Sequence, residues 1–200
     1  MSTEYFKINI YIAAVKNLIR SPFPKENPEL PMLKDIMAKD LTVVFCGINP
    51  GLKSAAEGHH FSGRSNRFWK VMHQAGFTPY QIGAENDTRI LDFGYGLTTA
   101  VARATSRADE LSKEEFDNSL ELFKTKITRF QPKYIVFLGK AAYQAFSKKK
   151  QIKWGYQAEE FCGSGVWVLP NTSGLNRGFT LDALVESYRE LYDEIQNGKL

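Results

Sequence analysis

The chain has 200 residues, enough for one domain with a well-buried core. Hydrophobic residues make up 43% and charged residues 24%, a globular balance that excludes a disordered or fibrous chain. The net charge of +4 is a mild basic excess, which fits a nucleic-acid partner without demanding one.

Two cysteines, Cys46 and Cys162, belong to no CxxC pair, and no zinc or iron–sulfur spacing is present, so no metal or cofactor is expected. The opening residues lack the basic, apolar, small order of a signal peptide. The longest apolar patch there, Ile10–Val15, is too short to span a bilayer. Reduced cysteines and no membrane contact are expected.

Along the chain, Tyr5, Ile8, Ile12, Val15 and Ile19 fall close to helical spacing, which predicts an amphipathic helix from about Glu4 to Arg20. Four of the eight prolines follow, Pro22, Pro24, Pro28 and Pro31, and they read as an extended connector. Residues 1–32 are therefore expected to form a helix and a proline-rich connector, and 33–200 the main domain.

Three short apolar runs predict buried strands: Thr42–Ile48, Lys133–Leu138 and Val166–Leu169. Helical patterns lie between and after them. Ser65–Ala75 carries a serine cap signal. Ser112–Arg129 opens on a capping box, with Glu115 three residues after Ser112. Lys140–Ser147 and Thr180–Gln196 follow. Strands alternating with helices predict an α/β fold, a three-layer α/β/α arrangement around a short, mainly parallel central sheet. Ligands of such sheets bind beyond the carboxyl ends of the strands.

The unusual residues fall at those ends. After the first strand comes Gly47-Ile48-Asn49-Pro50-Gly51. Next is a loop with His59, His60 and Phe61 between Gly58 and Gly63, then Asn66-Arg67-Phe68-Trp69-Lys70. Asn-Pro-Gly alone is a common turn, and Phe61 alone is as well read as a core plug as a stacking platform for a flat base. The phosphate-gripping spacings of ATP and dinucleotide sites are absent. The last strand ends in Pro170-Asn171-Thr172-Ser173-Gly174-Leu175-Asn176-Arg177. Ser173 and Gly174 let backbone approach a phosphate closely. Leu175 either packs inward or projects as a wedge between base steps.

Taken together, GINPG with a downstream aromatic, then NRFWK, then PNTSGLNR resemble the mismatch-specific uracil-DNA glycosylase and thymine-DNA glycosylase family. The resemblance runs from about Leu30 to Leu191 and implies a uracil-DNA glycosylase-like fold, with 33–200 as the catalytic domain. It implies that Asn49 holds the attacking water, with Thr98 helping, and that Phe61 stacks on the flipped base. Ile48 and Gly51 match backbone positions around the base's polar edge, and Ser54 and Thr99 match pocket positions that tune base choice. His59 and His60 match the paired histidines of the thymine branch, and Asn171 faces the base. Leu175 fills the gap, and Gly174, Asn176 and Arg177 meet the opposite strand. Two positions depart from the family: Thr172 stands where the bacterial branch has proline, and Thr99 replaces lysine or asparagine.

The implied reaction is removal of uracil, with thymine or ethenocytosine as further substrates, from G:U and G:T mismatches in double-stranded DNA. An abasic site is left as the first step of base excision repair. The implied enzyme is a monomer, cytoplasmic in a bacterium and nuclear in a eukaryote. An amide is a poor base, so slow catalysis on good leaving groups is expected. Lys70 and Lys140 are available as lyase amines, although each is more simply a helix-terminus or surface charge. Lys148-Lys149-Lys150 reads as a solvated charge run. A DNA-binding module without chemistry and an enzyme of free nucleosides are the rival readings. Intact Asn49 opposes the first and the wedge loop the second.

Overall fold

The structure is a computed structural model that describes residues 30–198. The helix and connector expected before residue 30 lie outside them. A five-stranded sheet with the order β2-β1-β3-β5-β4 forms the centre. Its strands are β1 (Val43–Gly47), β2 (Tyr95–Thr99), β3 (Tyr134–Leu138), β4 (Gly155–Phe161) and β5 (Ser164–Leu169). β1 pairs in parallel with β2 and β3, β3 pairs in parallel with β5, and only the edge strand β4 runs antiparallel. The fold is thus α/β with a mostly parallel sheet, as expected. The carboxyl ends of β1, β2, β3 and β5 all reach one edge.

The helices are α1 (Leu52–Glu57), α2 (Phe68–Gln74), α3 (Lys113–Phe130), α4 (Lys140–Ser147) and α5 (Leu181–Gln196), with a 3-10 segment at Ala84–Phe93. One core layer packs α2 and α5 on the sheet through Phe45, Phe68, Met72, Leu184 and Tyr188. The other packs α3 and α4 through Phe123, Ile127, Phe137, Tyr143 and Phe146. Every residue of β1 is buried, because both faces of this central strand are covered.

The capping box is formed: Ser112 Oγ accepts from the Glu115 N–H, and Glu115 accepts from the Ser112 N–H. Thr180 caps α5 in the same way through the Ala183 N–H. The expected cap at Ser65 is not made. α2 starts at Phe68, whose N–H donates to Asn66 Oδ1, while the Arg67 N–H goes to the Thr172 carbonyl. The start of this helix is spent on a distant loop. Two strands were not expected. β2 is rich in glycine and threonine, and β4 is an exposed edge whose polar residues hide its alternation.

Candidate active site

A cleft of about 800 Å³ opens at the carboxyl edge of the sheet. Residues after β1, the 60–66 loop, residues 99 and 105–109, and the 171–177 loop line it.

The chain after β1 is zipped to the chain after β2. The Ala100 N–H donates to the Gly47 carbonyl, the Val101 N–H to Ile48 and the Thr105 N–H to Pro50. This register brings Asn49 to two acceptors. Its Nδ2 donates to the Arg103 carbonyl at 2.8 Å and to Thr105 Oγ1 at 2.7 Å. A main-chain carbonyl can only accept, so the amide orientation is fixed by its partners. The Thr105 hydroxyl proton goes to the Arg107 carbonyl, which leaves its lone pair for Asn49. Both Asn49 N–H bonds are committed, and Oδ1 accepts from no protein group among the described residues. Arg103 is held in turn by Glu115 at 2.5 Å. That guanidinium pulls the Glu115 carboxyl down to about 2. Neither Thr105 nor Arg103 stood out in the sequence, because each acts through a partner some fifty residues away.

Phe61 takes a left-handed φ of 56°, rare for a residue with a side chain. Its ring stacks on Phe68 with centroids 3.9 Å apart. The loop is held in that shape from three sides. The His60 N–H donates to Asp87 Oδ2 at 2.7 Å, and Trp69 Nε1 donates to the His60 carbonyl. Ser54 Oγ accepts from the Ser62 N–H. His60 borders the cleft but is buried, and its Nε2 meets the Lys34 carbonyl at 3.0 Å. Burial pushes its pKa down, which favours the neutral ring. His59 does not line the cleft; it is partly exposed and faces Asp87 at 3.4 Å. The expected histidine pair thus splits into one buried loop anchor and one surface partner of Asp87.

One side chain, Arg67, meets four carbonyls of the 170–179 stretch. Arg67 donates through Nη1 to the Phe179 carbonyl at 2.7 Å, and through Nη2 to Ser173 and Asn176, each at 3.0 Å. Its Nε points at the Thr172 carbonyl at 3.4 Å. The Thr172 hydroxyl donates to Asn66 Oδ1 at 2.8 Å. Gly174 presses so closely on Ser65 that a Cβ would stand 2.4 Å from its Cβ. Leu175, at 65% exposure, projects into solvent rather than packing inward. Arg177 is exposed beside it. Asn176 Nδ2 donates to the Asn171 carbonyl, and Asn171 Oδ1 is buried with no partner among the described residues.

Thr98 is not part of this site. Neighbouring residues of a strand face opposite sides of the sheet, so Thr99 borders the cleft and Thr98 points to the α3 face. There its hydroxyl donates to Asp35 Oδ1 at 2.6 Å and accepts from Lys126 Nζ at 2.9 Å. It cannot hold the water. Cys46 lies on the same face, fully buried, and burial pushes its thiol far up. Ile48, Gly51, Ser54, Thr99, Asn171, Ser173, Gly174 and Asn176 do gather at the cleft with Asn49, Phe61, Leu175 and Arg177. Lys70 and Lys140 do not. Lys53 is the lysine that borders the cleft, and it pairs with Glu57. Asp109, the one carboxylate among the described bordering residues, is exposed and paired with Arg107.

No helix among the described residues is long and apolar enough to cross a membrane. The sequence model of the uracil DNA glycosylase superfamily matches residues 34–195. The fold is similar to the solution NMR structure of a protein from Methanosarcina acetivorans, provisionally assigned as a uracil DNA glycosylase. The TM-score is 0.60 at 18% identity, over 84% of this chain and 98% of that one.

Proposed function

Since this chain belongs to the uracil DNA glycosylase superfamily and is a DNA glycosylase, a hydrolase of N-glycosyl bonds, we propose that it is a monofunctional enzyme that removes uracil from G:U mismatches in double-stranded DNA. Thymine opposite guanine and ethenocytosine are the further substrates of this reading. It leaves an abasic site for base excision repair.

The observation that carries the reading is the Asn49 amide, with both N–H bonds committed and its oxygen left for a water. The mispaired nucleotide rotates out of the duplex at a cost of roughly a few kcal/mol, less for a mispair than for a true pair. Leu175 enters the gap as a wedge. The base lies on the Phe61 ring, which Phe68 supports from behind. Asn171, which borders the cleft, faces the base in this reading. As the glycosidic bond breaks, the sugar becomes cation-like and the base leaves as an anion, met by backbone donors near Ile48 and Gly51. Asn49 Oδ1 orients the water toward the sugar.

No bordering carboxylate is free to act as a strong base, because Asp109 is spent on Arg107. The chemistry therefore depends on a stable leaving anion, which suits uracil and not adenine in an ordinary pair.

The test is a single labelled duplex with one uracil opposite guanine, incubated in chelator with and without hot alkali. Breakage only after alkali, reduced about 100-fold or more in Asn49→Ala, is the expected result. Breakage without alkali would replace the reading with an amine lyase, for which Lys53 borders the cleft. Duplex binding without breakage would leave a binding module.

A further inference from the structure

The geometry points to residues Ser65–Trp69 as a strut that holds the wedge and the base platform at a fixed separation, with the buried Thr172 hydroxyl as the positioning group at its junction. This rests on the reading of the cleft as a glycosylase site.

This one short stretch of chain touches both loops. On the wedge side, Ser65 lies so close to Gly174 that no Cβ fits between them. The Arg67 N–H and guanidinium reach carbonyls of residues 172–179. On the platform side, Phe68 stacks on Phe61, and Trp69 Nε1 donates to the His60 carbonyl at 3.1 Å. Asn66 stands between the two sides. Its Oδ1 accepts from the Phe68 N–H at 3.0 Å and from the Thr172 hydroxyl at 2.8 Å. A main-chain N–H only donates, so the shared atom is the amide oxygen and the hydroxyl must donate to it. One oxygen thus joins the first residue of α2 to the loop that carries Leu175.

Thr172 is 1% exposed, and a hydroxyl is costly to bury unless it is hydrogen-bonded. Its proton is committed to Asn66, so Thr172 acts through the position of the loop and not on the base. Wedge insertion and stacking of the base are two halves of one rotation. Leu175 fills the gap only while the extruded base rests on Phe61. Leu175 is exposed on a loop without regular structure, and such a side chain otherwise loses its freedom only on binding. A strut that fixes the loop against α2 sets the wedge at the right distance from the platform before DNA arrives.

Single-turnover cleavage of a G:U duplex by Thr172→Val, alone and combined with Leu175→Ala, tests the strut. Valine keeps the shape of threonine and cannot donate, so Asn66 keeps Phe68 and loses the wedge loop. Thr172→Val is expected to cleave roughly tenfold more slowly than wild type. In the Leu175→Ala background the same change should cost less than about twofold, because no wedge is left to position. Thr172→Ser returns the donor and should recover the wild-type rate to within about threefold. Thr172→Ala removes the hydroxyl with a smaller side chain; it should repeat the valine pattern, and it replaces valine if that variant does not fold. A residue that only supported the fold would slow both backgrounds by the same factor. Equal losses in the two backgrounds would overturn the strut. So would a wild-type rate in Thr172→Val, or a serine variant as slow as the valine one. A wild-type enzyme that leaves uracil in place would sink the proposed function and the strut with it, whereas an active wild type with equal losses would sink the strut alone.

Discussion

Arg67 gives its guanidinium to main-chain carbonyls of residues 172–179 and, among the described residues, to no carboxylate. Only a planar fork with five donors can serve acceptors spread in this way, and a lysine ammonium offers three hydrogens from one point. Arg67→Lys is therefore expected to leave at least one carbonyl unmet, lowering stability by about 1–3 kcal/mol. The wedge loop should lose its fixed height above the cleft. Cleavage of paired duplex should then fall more than cleavage of single-stranded uracil DNA, which needs no wedge. Equal losses on the two substrates would show that Arg67 supports the fold alone. The same residue scale explains Gly174, where the close approach of Ser65 leaves no room for a Cβ.

Among the elements, the segment before β1 closes one wall of the cleft without contributing chemistry. Ile36 pairs antiparallel with Leu97, and Leu33 borders the cleft. Asp35 fastens the segment to α3 through Lys126 at 2.7 Å, with the Thr98 hydroxyl completing the triad. The adjacent Lys34 carbonyl meets the His60 ring, so the triad also sets the loop that carries Phe61. Asp35→Ala would leave Lys126 with a single hydroxyl partner. Both charges keep some solvent, so a loss of about 1–2 kcal/mol is expected, less than for a fully buried pair. Urea melts of the variant check the value, and an unchanged midpoint would remove the triad from the account of the wall.

At the scale of the molecule, buried His60 and the Arg103-held Glu115 make stability depend on pH with the same sign. Buried His60 has a folded pKa below the usual 6.5, so the unfolded chain binds the extra proton first. Its contribution is complete above about pH 6.5 and is lost as pH falls toward the folded value. Glu115, held at about 2 by Arg103 against an ordinary 4.5, adds stability above 4.5 that is lost as pH falls toward 2. Melting temperatures should therefore drop from pH 7.5 to 5.5, and again toward 3. His60→Gln is expected to flatten the first drop and Glu115→Gln the second. A first drop of unchanged size in His60→Gln would assign it to other groups.

The sequence alone determined the layers and most helix limits. Alternation, capping signals and short apolar runs are local properties, and Ser112 with Glu115 formed the cap that their spacing required. It also marked Asn49, Phe61 and the 170–177 loop, through motifs that resemble the glycosylase family only when taken together. It did not disclose β2 or β4, whose glycines and polar edge residues blur the two-residue period until neighbours pair with them. Nor did it show that Thr98 and Thr99 face opposite layers, that His59 and His60 part company, or that Arg67 carries the distant loop. Those outcomes rest on pairings between residues up to 112 positions apart, such as Arg67 with Phe179. Only the closed chain decides which carbonyl comes within reach of which donor.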